Sequence, residues 1–137
     1  MTKNTTFLHQ ARVYYEDTDV AGIVYYANYL RYIERARSEW IRTLDIDQSA
    51  LIEQGFAFAV TKVNINYLKP ARFNDLLEIA TTIKKAGRAS LLFEQLVRNK
   101  DEPALINCKA DVKVAFINTK TMKPIALPAR IMEEFSQ

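Results

Sequence analysis

At 137 residues the chain is long enough for one domain with a hydrophobic core, and 49% hydrophobic against 26% charged residues excludes a disordered polymer. The net charge of +3 is spread along the chain rather than blocked, which argues against a nucleic-acid module and suits an anionic small-molecule partner or a merely solvated surface. One cysteine (Cys108) and one histidine (His9) exclude a disulfide framework and leave no metal-ligand cluster. No apolar run reaches membrane-spanning length, and MTKNTTFLHQ at the start lacks the apolar core of a signal peptide, so a cytoplasmic location is expected.

Residues 1–6 are polar and read as a frayed leader. Phe7 to Tyr15 is rich in β-formers and predicts a first strand, which ends at an acidic loop, Glu16-Asp17-Thr18-Asp19. Gly22 permits a turn that a β-carbon would hinder. A long helix then begins between Ile23 and Asn28 and runs to about Leu44. Tyr29, Ile33, Ala36, Trp40 and Leu44 fall on one continuous face, while Arg31, Arg35, Ser38 and Arg42 lie away from it. Gln48 to Gln54 forms a short second helix before Gly55.

The periodicity then changes to two. Phe56 to Leu68 is a strand in which Val63, Ile65 and Tyr67 alternate with Lys62, Asn64 and Asn66, and Lys69-Pro70-Ala71 ends it. Leu77, Ile79, Thr81 and Ile83 alternate with Glu78, Ala80, Thr82 and Lys84 in the next strand. Gly87 turns the chain into Ser90 to Asn99, with Leu91, Phe93 and Gln95 on one face. Asp101-Glu-Pro103 is a turn before a long strand, Ala104 to Asn118, with Ile106, Cys108, Ala110, Val112, Val114 and Phe116 on one side. Ala129 to Phe135 closes the chain as a helical turn or two.

No linker, repeat or low-complexity segment interrupts this order, so residues 1–137 read as a single domain. Strand, helix, then four strands joined by short connections predict an α+β fold, an antiparallel sheet wrapped around one long helix. Such a sheet leaves an edge and a face needing cover, so a homodimer is expected.

The chemistry concentrates between Tyr14 and Trp40. A carboxylate just ahead of a helix meets unpaired backbone N–H groups and the positive end of the helix dipole. Those groups suit a developing oxyanion, and the carboxylate suits a nucleophile or base. Read alone, Asp19 is as well explained as a loop or N-cap carboxylate. Asp17 reads as a structural partner of loop amides, Glu34 as one half of a pairing along the helix, and Cys108 as core.

The string Tyr15-Glu16-Asp17-Thr18-Asp19-Val20-Ala21-Gly22-Ile23-Val24-Tyr25-Tyr26-Ala27-Asn28-Tyr29, followed by Glu34-Arg35-Ala36-Arg37, resembles the signature of hotdog-fold thioesterases. Within them it is most similar to the 4-hydroxybenzoyl-CoA thioesterase group and its Tol–Pal-associated (YbgC-like) branch. Val63 to Asp75, Gly87-Arg88-Ala89-Ser90 and Met122-Lys123-Pro124 carry the likeness over nearly the whole chain.

The resemblance implies a hotdog fold and hydrolysis of acyl-CoA to a free acid and CoA, with no metal and no bound cofactor. Asp19 would be the catalytic carboxylate, as nucleophile or as base for water, and the backbone around Tyr26 would polarise the thioester oxygen. Tyr15, Gly22, Val24 and Tyr25 would line the substrate. Arg88 and Ser90 would approach CoA from a site shared between subunits of a dimer or a dimer of dimers, the homotetramer expected from the family. An acyl carrier protein is a further possible partner. Many members of the branch carry histidine where this chain has Tyr26.

Two other readings compete. A hotdog hydratase or dehydratase pairs a histidine with an acid, and His9 lies outside the motif. A non-catalytic module binding an acyl thioester or acyl carrier protein, in an envelope or lipid-synthesis complex, would be marked by loss of the loop carboxylate, which is present.

Overall fold

The computed structural model describes residues 5–136, so of the polar leader only Thr5 and Thr6 are seen, and Thr6 already belongs to the first strand. Five strands, β1 (Thr6–Arg12), β2 (Phe56–Tyr67), β3 (Leu76–Ala86), β4 (Ser90–Asn99) and β5 (Ile106–Asn118), make one antiparallel sheet in the order β1-β3-β4-β5-β2. The helices are α1 (Asn28–Thr43), α2 (Gln48–Glu53) and α3 (Ala129–Ser136). The α+β hotdog fold expected from the sequence is the fold observed.

α1 lies on the inner face of the sheet, and its predicted apolar face is buried along its length: Tyr29, Ile33, Ala36, Trp40 and Leu44 all enter the core. Trp40 meets Phe93 of β4 edge to face, with ring centroids 5.5 Å apart, the geometry an aromatic quadrupole favours. β4 and β5 supply the floor through Leu91, Phe93, Val97, Cys108, Ala110 and Val112. α2 is started by Asp47, whose carboxylate accepts from the amides of Ser49 and Ala50.

Five features depart from the sequence reading. The first strand ends at Arg12, not Tyr15. Val13 N–H makes the last rung, to the Asp75 carbonyl. The Asp17 carboxylate then captures the Tyr14 amide at 2.9 Å and winds Tyr15–Asp17 into a 3₁₀ turn.

The four later strands are not laid down side by side in sequence order. β2 pairs with β5 at the far edge, and residues 68–75 carry the chain across to β3. Within β2 the register slips between Val60 and Lys62. That bulge keeps both Val60 and Val63 on the inner face although they are three residues apart.

Glu78, on the outer face, is buried because Arg98 (2.7 Å) and Lys100 (3.4 Å) close over it, and the Arg98 contact holds its carboxyl below the usual carboxylate range. Arg37 is buried as well, its guanidinium donating to Gln95 at the centre of the sheet.

Candidate active site

The loop between β1 and α1 is tied down at both ends. Asp17 is its hub. Its carboxylate accepts from Tyr14 N–H and from the Tyr32 hydroxyl (3.0 Å), and its carbonyl accepts from Tyr25 N–H and Asn28 Nδ2. Partial burial, and secondly the bond to Asp17, raise the pKa of Tyr32 well above the ordinary tyrosine value, so this hydroxyl is a fixed donor. Asp17 is structural, as its sequence reading held.

Two residues on, Asp19 is exposed. The segment from Thr18 to Val24 folds as a small hairpin, with Thr18 bridged to Val24, Asp19 N–H on the Ile23 carbonyl and Gly22 N–H on the Asp19 carbonyl. Gly22 at its tip has φ +79°, the left-handed region that a β-carbon disfavours. Asp19 Oδ1 accepts from Ala21 N–H at 2.9 Å. Among the described residues Oδ2 has no hydrogen-bond partner and faces solvent.

Beyond the hairpin, Val24 is buried and pinned by its amide to the Ala71 carbonyl, while Tyr29 Oη accepts from Ala71 N–H. Burial raises the pKa of Tyr29, with the Ala71 bond opposing it. The first turn of α1 closes by short-range bonds from Asn28, Tyr29 and Leu30 back to Tyr25, Tyr26 and Ala27. Among the described residues the amides of Tyr26 and Ala27 donate to nothing. They are the open donors at the positive end of the helix.

An open cleft of about 270 Å³ adjoins them, lined by Ile23, Val24, Tyr26, Tyr29, Tyr67 and the 68–70 segment. Tyr26 stands against both Tyr25 and Tyr67, with ring centroids 5.0 and 5.9 Å away. Asp19 is not itself in the lining; it pairs through its amide with the carbonyl of Ile23, which is.

The structure therefore gathers Asp19, Gly22, Val24, Tyr25 and Tyr26 into one region. Tyr15 sits on the neighbouring 3₁₀ turn, largely exposed and edge to face with Phe73. Arg88 and Ser90 are not brought there within one chain. They follow β3 at the end opposite the loop, a strand length of roughly 30 Å away.

The cleft wall of Tyr67, Leu68, Lys69 and Pro70 was missed by sequence reasoning. Its one signal was the aromatic that ends an alternating strand just before Lys-Pro. Among the described residues no group of three or more His, Cys, Asp and Glu side chains is placed to hold a metal, and no helix is long and apolar enough to cross a membrane.

Comparison with known proteins bears on the family and the fold. The thioesterase superfamily model matches residues 21–106. The acyl-CoA thioester hydrolase YbgC of Escherichia coli O157:H7 is 45% identical over 135 residues, covering 98% of this chain and 99% of the relative. The acyl-CoA thioesterase YbgC of Haemophilus influenzae is 44% identical, covering 94% of this chain and 93% of the relative. In the fold alone, the crystal structure of a 1,4-dihydroxy-2-naphthoyl-CoA thioesterase from Synechocystis superposes with a TM-score of 0.89 at 23% identity, covering 96% of both chains. The chain belongs to the thioesterase superfamily, in its YbgC-like group, and its enzymatic class is thioester hydrolase.

Proposed function

We propose that the chain hydrolyses acyl-CoA to a free carboxylic acid and CoA, with Asp19 as the catalytic carboxylate. The observation that carries this reading is the pairing of a carboxylate oxygen with no protein partner and two unspent amides, Tyr26 and Ala27, on one short segment. Asp19 attacks the thioester carbonyl, or takes the proton of an attacking water. The amides hold the oxygen that becomes negative. Collapse of that oxyanion breaks the C–S bond, and CoA leaves as the thiolate of a thiol whose pKa is roughly 8.5, which departs without a strong acid and then takes a proton from water or from Asp19. On the nucleophilic route water next cleaves the Asp19 mixed anhydride, releasing the free acid and restoring the carboxylate. No histidine is needed, so Tyr26 contributes its backbone N–H and its ring as a wall of the cleft.

The site is completed by a second copy. β2 is a twelve-residue edge strand whose inner face leaves Val60, Val63 and Tyr67 exposed, an arrangement that invites another strand. Two β2 edges paired antiparallel about a two-fold axis bring the Phe58–Val60 end of one copy beside Tyr67 of the other. That contact also turns the Arg88–Ser90 end of one copy toward the Asp19 loop of its mate, which gives those two residues a place against CoA.

Thiol release from short, long and aromatic acyl-CoAs, and from an acyl carrier protein thioester, tests the reading with Asp19→Ala alongside. Release that vanishes in the variant supports it, and unchanged release overturns the role of Asp19. Light scattering should find no monomer at micromolar concentration; a stable, active monomer overturns the shared site.

A further inference from the structure

Under the middle of α1 lies a second cavity, of about 120 Å³. Its walls are apolar side chains from α1, β2, β4 and β5, Phe58 and Val60 among them, with Arg37, Glu34, Ser38 and Gln48 as polar members. Arg37 is 8% exposed, yet among the described residues no carboxylate comes within ion-pair distance of it. Its one hydrogen bond runs from Nη1 to Gln95 Oε1 at 3.1 Å. Gln95 in turn is oriented by its own donations, to the Ile33 carbonyl at 2.8 Å and Thr81 Oγ1 at 3.0 Å.

A guanidinium carries five N–H donors, and a buried charge is costly unless it is paired. Among the described residues four of those donors meet no acceptor. Arg37 is itself a lining residue of the cavity, which is the space open to them. Burial pulls the Arg37 pKa down from the usual arginine range, opposed by the field of Glu34. Glu34 is exposed at the cavity mouth, with one oxygen held by Ser38 Oγ at 3.0 Å, so its charge is largely met by solvent.

We infer that this cavity is an acyl subsite for a second carboxylate: the enzyme takes dicarboxylic monoacyl-CoA substrates, whose distal carboxylate sits against the free fork of Arg37 while the methylene chain lies on Phe58 and Val60. An Arg fork matches a carboxylate in shape and in donor number. The inference rests on the acyl-CoA reading and its two-copy site, in which Phe58 of one copy adjoins the cleft of the other.

The test compares kcat/KM for succinyl-, glutaryl- and adipyl-CoA with the length-matched neutral butyryl-, pentanoyl- and hexanoyl-CoA, in wild type, Arg37→Gln and Glu34→Gln. At least one diacid should exceed its neutral match in wild type. Arg37→Gln should lose about tenfold or more on that substrate and less than about threefold on the neutral one, and Glu34→Gln should sharpen the preference. A uniform loss in Arg37→Gln, or no diacid preference in wild type, overturns the subsite while leaving the thioesterase reading intact.

If Arg37→Gln fails to fold, or no acyl-CoA is cleaved, Trp40 provides a direct reading, since it is the only tryptophan and packs on Phe93 in the cavity wall. Free glutarate should shift its emission in the wild-type protein at concentrations where glutaramide does not. Equal response, or none, overturns the proposal.

Discussion

Apart from the cavity beside Arg37, the core under α1 is closed: Ile33, Ala36, Leu77, Ile79, Phe93 and Val112 are exposed by 1% or less. In the loop just ahead of α1, Tyr15, Val20 and Tyr26 stand 80%, 109% and 61% exposed. The core spends its apolar side chains on stability, whereas the loop leaves apolar and charged groups uncovered and is held in shape by hydrogen bonds. Asp17 and Asp19 compress the same contrast into two residues. One carboxylate is consumed by the scaffold, and the other keeps an oxygen free. A loop of this kind can be rigid without being buried.

The contrast breaks most visibly at Asp19. Asp19→Asn should lower kcat by about a thousandfold or more while the melting temperature stays within a degree or so of wild type; parallel melting curves and thiol-release assays decide it. A large loss of stability would mean Asp19 belongs with Asp17. The converse variant is Trp40→Ala, which should cost roughly 3–5 kcal/mol in denaturant unfolding by opening a cavity against Phe93. A cost well under 1 kcal/mol would show that the two regions are not built differently.

Asp17→Ala lies between them. It strips the partner from the Tyr32 hydroxyl and the Tyr14 amide, and should cost about 1–3 kcal/mol with an accompanying fall in turnover, since the same loop carries Asp19. Full activity in a destabilised Asp17→Ala would separate loop rigidity from chemistry.

Glu78 supplies a smaller, pH-dependent test of the scaffold. Its folded pKa is depressed by Arg98, so below the ordinary carboxylate range the unfolded chain binds the extra proton first. The stability it contributes is present above about pH 4.3 and is lost as pH falls through the folded value. The gap in melting temperature between wild type and Glu78→Gln should be widest near neutrality and close in acid; a constant gap would rule out that linkage. The smallest effect concerns Cys108. Burial pushes its thiol up to about 12. Alkylation at pH 8 should therefore be negligible in the native protein and rapid in denaturant.

Local pattern was enough to read the long helix, its buried face and the inner side of β4 and β5, because each is set by spacing along one element. The turn at Gly22 and the structural part of Asp17 were legible too, whereas the pattern alone left Asp19 as a loop or N-cap carboxylate and only the family resemblance singled it out. What the sequence hid is non-local. The place of β2 beyond β5 depends on which strand it pairs with, and the bulge between Val60 and Lys62 disguises the period of its inner face. Arg37 and Glu78 look like solvated charges until Gln95 in one case, and Arg98 and Lys100 in the other, are seen to enclose them. The cleft wall of residues 67–70 becomes a wall only when the hairpin folds back on it.

That fold-back matters for anyone re-engineering the enzyme. Val24 donates to Ala71, Tyr29 accepts from the same residue, and Ile23 bridges Arg72, so the Asp19 loop and the crossover after β2 are stitched into one piece. A chimera that imports residues 13–27 from a relative, while keeping its own 67–75, would join two halves cut for different partners. The transplantable cassette is discontinuous in sequence, and recombination breakpoints belong outside both segments.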